Sequence, residues 1–122
     1  MKKMVLVVEN DEELREAVGS ALAHAGFDAL GARSARQALS FLDQVAPDLI
    51  VLDFLLYEMD GVELTKAIRS RAGLGRTPLL MVTGAPEVAS ARLSRAGMNI
   101  PVLAKPLDAD VLTRMAEQLC AA

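Results

Sequence analysis

The chain has 122 residues, 52% hydrophobic and 24% charged, which fits one globular domain with a real core that needs neither disulfides nor a structural metal. A net charge of -3 gives no basic footprint, and aromatics at 3% leave little for stacking, so direct nucleic-acid binding is not expected. The single cysteine, Cys120, can form neither an internal disulfide nor a paired-cysteine metal site and is read as a thiol on a final helix.

The apolar stretch Met4–Val8 stops at Glu9, Asn10 and Asp11, too soon for a signal peptide, and reads as a first strand. Leu14, Ala17, Val18, Ala21, Leu22 and Ala25 then repeat at three- and four-residue spacing as one helical stripe, with Gly26 as its stop. Residues 28–32 form a weaker second strand. Ser34 and Gln37 have capping-box spacing, with Ala35, Ala38, Leu39, Leu42 and Val45 as the stripe of a second helix. Residues 49–52 and 79–82 are nearly continuous apolar runs, the pattern of strands covered on both faces. Between them Asp60 and Glu63 open a third helix, with Leu64, Ala67 and Ile68 inward and residues 73–75 closing it. A fourth helix is predicted over 87–96 and a weak strand over 102–104. Asp108 caps a fifth helix with Val111, Leu112, Met115 and Leu119 inward. His24, the only histidine, sits near the end of the first helix, where a cation is mildly favoured. No segment is long enough to cross a membrane, and the cytoplasm is the expected compartment.

Strand and helix thus alternate about five times, which predicts an open, doubly wound parallel sheet with helices on both faces. In such sheets the ligand site lies beyond the carboxyl ends of the strands. Those ends carry Glu9-Asn10-Asp11, Asp53, Thr83 and Lys105-Pro106. Clustered carboxylates need a positive charge among them, and hard oxygen donors suit Mg²⁺. Asp53 is a candidate nucleophile toward phosphorus, with Thr83 and Lys105 placed to contact phosphoryl oxygens. Each residue has an ordinary alternative: Asp53 a loop cap, Glu9 to Asp11 a solvated helix start, Thr83 a strand end, Lys105 a surface lysine. Their joint placement on strand ends favours the site.

The stretches Val5-Leu6-Val7-Val8-Glu9-Asn10-Asp11, Pro47-Asp48-Leu49-Ile50-Val51-Leu52-Asp53, Met59-Asp60-Gly61, Pro78-Leu79-Leu80-Met81-Val82-Thr83 and Lys105-Pro106 fall in one order and spacing. In that set the chain resembles the receiver domain of two-component response regulators, over essentially all of residues 1–122. The resemblance implies a CheY-like, flavodoxin-like fold with five parallel strands and five helices. It implies a phosphorelay switch that catalyses only its own phosphorylation and dephosphorylation. The phosphoryl group would come from a phosphohistidine on a sensor histidine kinase or a histidine phosphotransfer protein. By position Asp53 matches the phosphoacceptor, Thr83 the hydroxyl that closes on the phosphoryl group, and Lys105 the ammonium that usually precedes a cis proline. Glu9, Asn10, Asp53 and the backbone carbonyl of Leu55 match the Mg²⁺ ligands. Many relatives pair through the face of the fourth helix, fifth strand and fifth helix, where Arg92, Arg95 and Asp110 fall. An output domain is not expected within this length, and both a stand-alone regulator and a receiver of a longer protein stay open.

Three positions depart from the family pattern. Asn10 stands where a second aspartate is usual and offers a carbonyl oxygen without charge, so weaker Mg²⁺ binding is expected. Val102 replaces an aromatic that reports switching. Tyr57 follows the phosphoacceptor where proline is common; packing within its loop is the expectation, with an exposed aromatic contact for a partner as the alternative. Leu55 and Ala85 cannot orient an attacking water, so slow self-hydrolysis is expected. Two other classes compete: a scaffold of the same fold that has lost phosphorylation, and a metal-dependent aspartate phosphatase. The second wants a carboxylate where Leu55 stands. A flavin site is disfavoured because Glu9 and Asp11 would repel its phosphate.

Overall fold

The computed structural model describes residues 2–121, so the two terminal residues of the expected 1–122 unit lie outside it. Among these residues the strands are β1 (Met4–Val8), β2 (Asp28–Ala32), β3 (Leu49–Asp53), β4 (Leu79–Thr83) and β5 (Val102–Ala104). They alternate with helices α1 (Glu12–His24), α2 (Ala35–Leu42), α3 (Gly61–Arg69), α4 (Pro86–Arg95) and α5 (Ala109–Ala121). All strand pairs are parallel and the spatial order is β2-β1-β3-β4-β5. The order reverses at β1, so the edge beside β1 and β3 is the crevice where such sheets hold ligands.

Strand alternation divides the core in two. Leu6, Val8, Ile50, Leu52 and Met81 join Ala38, Leu42, Leu64, Ile68 and Leu93 on the face covered by α2, α3 and α4. Val5, Val7, Leu49, Val51, Leu80 and Val82 join Val18, Leu22, Leu112, Ala116 and Cys120 on the face covered by α1 and α5. Burial on both faces is why β1, β3 and β4 read as unbroken apolar runs.

The helix ends follow local chemistry. Asp11 caps α1 by accepting from the Leu14 N–H at 3.1 Å, and Asp60 and Glu63 make a full capping box on α3. Ser34 accepts from Gln37 N–H at 3.0 Å, while the Gln37 side chain reaches back to the Arg33 N–H at 2.8 Å, one residue before the cap. Asp108 accepts from the Asp110 and Val111 N–H groups at the start of α5. His24 is exposed at the end of α1, its Nδ1 3.0 Å from the Ser20 carbonyl.

Several predicted details shift. Ala17 and Ala25 are exposed, because alanine keeps an apolar period at little cost whether buried or not. Helix α2 ends at Leu42, leaving Val45 half-buried just beyond the turn that follows. Helix α4 begins one residue early, at Pro86, a residue suited to the first helical position. In α5 the centre of the stripe is Leu112, Ala116 and Cys120, with Val111, Met115 and Leu119 half-buried on its flanks.

One close approach ties the fold to the end of β3. The Gly61 N–H donates to the Phe54 carbonyl at 2.6 Å, and a Cβ at Gly61 would lie 2.9 Å from the Asp53 carbonyl oxygen, the Phe54 Cα and the Met81 Cε. Two of these neighbours are backbone and cannot yield cheaply. Gly61→Ala is therefore expected to lower stability by about 1–3 kcal/mol, read as an earlier midpoint in urea denaturation with an unchanged slope.

Candidate functional site

The register sets strand ends side by side. Val8 pairs with Leu52, so Glu9 stands level with Asp53, and Thr83 pairs with Ala104, so Lys105 follows directly at the same edge. Glu9 has the strand parity of Val5 and Val7, and Asp53 that of Leu49 and Val51, so both belong to the α1 and α5 side. Lys105 has the parity of Leu103 on that side. These three side chains meet: the Lys105 Nζ lies 2.6 Å from Asp53 Oδ2 and 2.9 Å from Glu9 Oε1.

Both carboxylates are 5% exposed, while Lys105 keeps a quarter of its side chain (25%) in solvent. The remaining oxygens are held by the main chain. Asp53 Oδ1 accepts from the Leu55 N–H at 3.0 Å, and Glu9 Oε2 accepts from the Asp11 N–H at 3.1 Å. Burial pushes the Glu9 carboxyl up; the Asp11 N–H and Lys105 pull it back, and neighbouring Asp53 adds to the rise. Burial also works against the Lys105 ammonium, but its hydrogen bonds to Asp53 and Glu9 outweigh that and raise its pKa above the ordinary lysine value. One ammonium thus serves two carboxylates.

Thr83 lies fully buried at the end of the neighbouring strand with the parity of Leu79 and Met81, outside the hydrogen-bonded trio. Its Oγ1 accepts from the Ala85 N–H at 2.9 Å, which leaves the hydroxyl proton free to donate. Main chain joins it to the lysine, since the Lys105 N–H donates to the Thr83 carbonyl at 2.8 Å, and the Lys105-Pro106 peptide bond is cis.

Asn10 sits beside the trio but turns to the backbone. Its Nδ2 donates to the Arg33 carbonyl at 2.7 Å and its Oδ1 accepts from the Tyr57 N–H at 3.1 Å. Asp11 is spent as the α1 cap. The acidic cluster read at the end of β1 therefore contributes one carboxylate, Glu9, to the site. Tyr57 does not pack within its loop as expected; its side chain is 88% exposed, and what the structure uses is its N–H. Arg92 is drawn away from the face of α4, β5 and α5 by an ion pair with Asp60 at 2.7 Å, while Arg95 and Asp110 stand exposed. Val102 is half-buried against the core of α2, α3 and α4.

The sequence does not mark Arg15 at all, and marks Gly61 without its contact. Arg15 donates to the Glu9 carbonyl at 2.9 Å and lays its stem across Gly31, while Gly61 abuts Asp53. The glycine after Asp60 was visible as a motif; nothing in the spacing of Arg15 marked it.

The donor set suits a small hard cation. Among the described residues no group of three or more His, Cys, Asp and Glu converges, so donors beyond Glu9 and Asp53 would be amide or main-chain carbonyl oxygens and water. Two buried carboxylates sharing one ammonium are the feature a divalent ion there would fit. The same charge balance makes Lys105→Met costly. The expected loss is about 2–3 kcal/mol in urea denaturation at neutral pH, less than for a fully enclosed pair because the lysine is part-exposed. Adding Glu9→Gln to that variant is expected to recover part of the loss.

Among the described residues no helix is long and apolar enough to cross a membrane. Residues 5–117 match the sequence model of the response regulator receiver domain. Regulatory protein AtoC of Escherichia coli (strain K12) is 29% identical over 114 residues, which cover 93% of this chain and 24% of AtoC. The alkaline phosphatase synthesis transcriptional regulatory protein PhoP of Bacillus subtilis (strain 168) is 34% identical over 87 residues, covering 71% of this chain and 35% of PhoP. The chain thus spans about a quarter to a third of these relatives' length. The chemotaxis response regulator CheY4 of Vibrio cholerae has the same architecture, with a TM-score of 0.89 at 26% identity over 98% of this chain and 99% of CheY4. With its parallel five-stranded sheet and this sequence match, the chain belongs to the receiver-domain family of two-component response regulators.

Proposed function

We propose that residues 1–122 act as one phosphorylation switch in the cytoplasm, with Asp53 as phosphoacceptor. The donor is a phosphohistidine on a sensor histidine kinase or a histidine phosphotransfer protein. The observation that carries this reading is the buried Glu9–Lys105–Asp53 trio at the strand ends. An oxygen of Asp53 attacks phosphorus, the phosphorus–nitrogen bond breaks, and the imidazole leaves with the bonding electrons and takes up a proton from solvent. Mg²⁺, held by Glu9, Asp53 and the Leu55 carbonyl, would supply charge for the phosphoryl oxygens as they develop it.

The protein's own groups do the rest. Lys105 and the Leu55 N–H hold Asp53 in one orientation, each on a different oxygen, and leave further lone pairs free. Lys105 is positioned to pass from Asp53 to a phosphoryl oxygen. The free proton of Thr83 supplies a second donor, and drawing that hydroxyl toward the phosphoryl group moves the end of β4 and with it α4, the route by which partner proteins read the state. Val102 is branched and packed, so the change is carried by backbone and helix rather than by a swinging aromatic ring. PhoP is named a transcriptional regulatory protein; for the present chain the partners we propose are proteins, contacted without direct binding of nucleic acid.

Intact mass after incubation with a small phosphodonor tests this. A gain of one phosphoryl group that requires Mg²⁺ and is absent from Asp53→Asn is expected. A folded sample with no gain at high Mg²⁺, and none from a kinase panel, would instead favour a scaffold role. The phosphorylated form is expected to outlast seconds at neutral pH, because Leu55 and Ala85 offer no group to orient water. Asn10→Asp is expected to tighten Mg²⁺ binding, measured by titration against the unaltered protein, through one added negative charge.

A further inference from the structure

Asn10 makes both its contacts with main chain far along the sequence. Arg33 lies between β2 and α2, Tyr57 between β3 and α3, and the two bonds span 23 and 47 residues. The same loops meet again where Glu58 Oε2 accepts from the Arg36 N–H at 3.2 Å, in the first turn of α2. Phe54, Leu56 and Met59 anchor the β3–α3 loop against the core, but between them Leu55 is 63% and Tyr57 88% exposed. At these two exposed residues the loop is held by main-chain hydrogen bonds, and its Leu55 N–H orients Asp53. The amide donates to Arg33 from its nitrogen and accepts from Tyr57 on its oxygen, which an ionised carboxylate, an acceptor only, cannot do. A carboxylate would keep the second bond and set its charge against the Arg33 carbonyl.

We propose that Asn10 is a positioning residue whose amide latches the β2–α2 loop to the β3–α3 loop, holds the Leu55–Asp53 turn in place, and does not ligate the cation. Its statement about the cation rests on the phosphoacceptor reading; the latch itself does not. With its oxygen turned to the Tyr57 N–H, Asn10 does by position part of what a charged neighbour would do by attraction.

The test is amide hydrogen exchange and ¹H–¹⁵N spectra of the labelled chain, of Asn10→Ala and of Asn10→Asp. Without metal, the Tyr57 amide is expected to be protected in the unaltered chain. In Asn10→Ala it is expected to exchange about tenfold faster, with a shifted Leu55 amide resonance. In Asn10→Asp, Tyr57 is expected to stay protected while the amides following Arg33 shift. Saturating Mg²⁺ is expected to leave Tyr57 protection in the unaltered chain intact. Equal Tyr57 exchange in Asn10→Ala and the unaltered chain would overturn the latch. Loss of Tyr57 protection on adding Mg²⁺ would overturn it too, since the oxygen would then be a ligand. If Asn10→Ala does not fold, Asn10→Asp decides, and unshifted amides after Arg33 would overturn the proposal. A chain that binds no Mg²⁺ counts against the phosphoacceptor reading, while the metal-free arm still decides the latch.

Discussion

Two carboxylates that have lost most of their water stand at adjacent strand ends, and a single ammonium lies between them. That arrangement constrains the rest of the molecule. Glu9 and Asp53 tolerate burial because Lys105 reaches both, and Lys105 reaches both because β5 is in register with β4, β4 with β3 and β3 with β1. Break any of these pairings by one residue and the parity of every side chain inverts, sending apolar groups to the edge and charges into the core. Two buried carboxylates sharing one ammonium are the chemical opening of the site.

The loop beyond β3 is gripped from several directions. Leu55 donates to Asp53, Gly61 donates to Phe54 and abuts Asp53, Asn10 takes the Tyr57 N–H, and Glu58 reaches the start of α2. Asp60 caps α3 with one oxygen and pairs with Arg92 of α4 with the other. The surroundings of Asp53 are therefore short, directional bonds rather than loose chain. Asp60 ties this loop to both α3 and α4, and the Leu55 and Tyr57 side chains stand exposed at its tip. The geometry also separates roles that sequence position merges. Asp11 and Asn10 adjoin Glu9, yet one is a helix cap and the other a link between loops.

Much of this was legible before any coordinates. The alternation of apolar runs and stripes determines an open parallel sheet, because runs of Val, Leu and Ile buried on both faces have few other homes. Caps at Asp11, Ser34, Asp60 and Asp108 are set by local spacing, since the bonds they make lie within one helical turn. Placing Glu9, Asp53, Thr83 and Lys105 at one edge follows from the connection rules alone. Tertiary structure decided what the polar groups touch. That Asn10 faces Arg33 and Tyr57, that Arg92 leaves the α4–β5–α5 face for Asp60, and that Thr83 stands apart from the trio depend on ångström-scale distances between segments remote in sequence. The physical reason is range. Hydrophobic period and capping act over a few neighbouring residues and leave a pattern in the sequence, whereas a hydrogen bond between loops is fixed only when the sheet and helices bring its partners within reach.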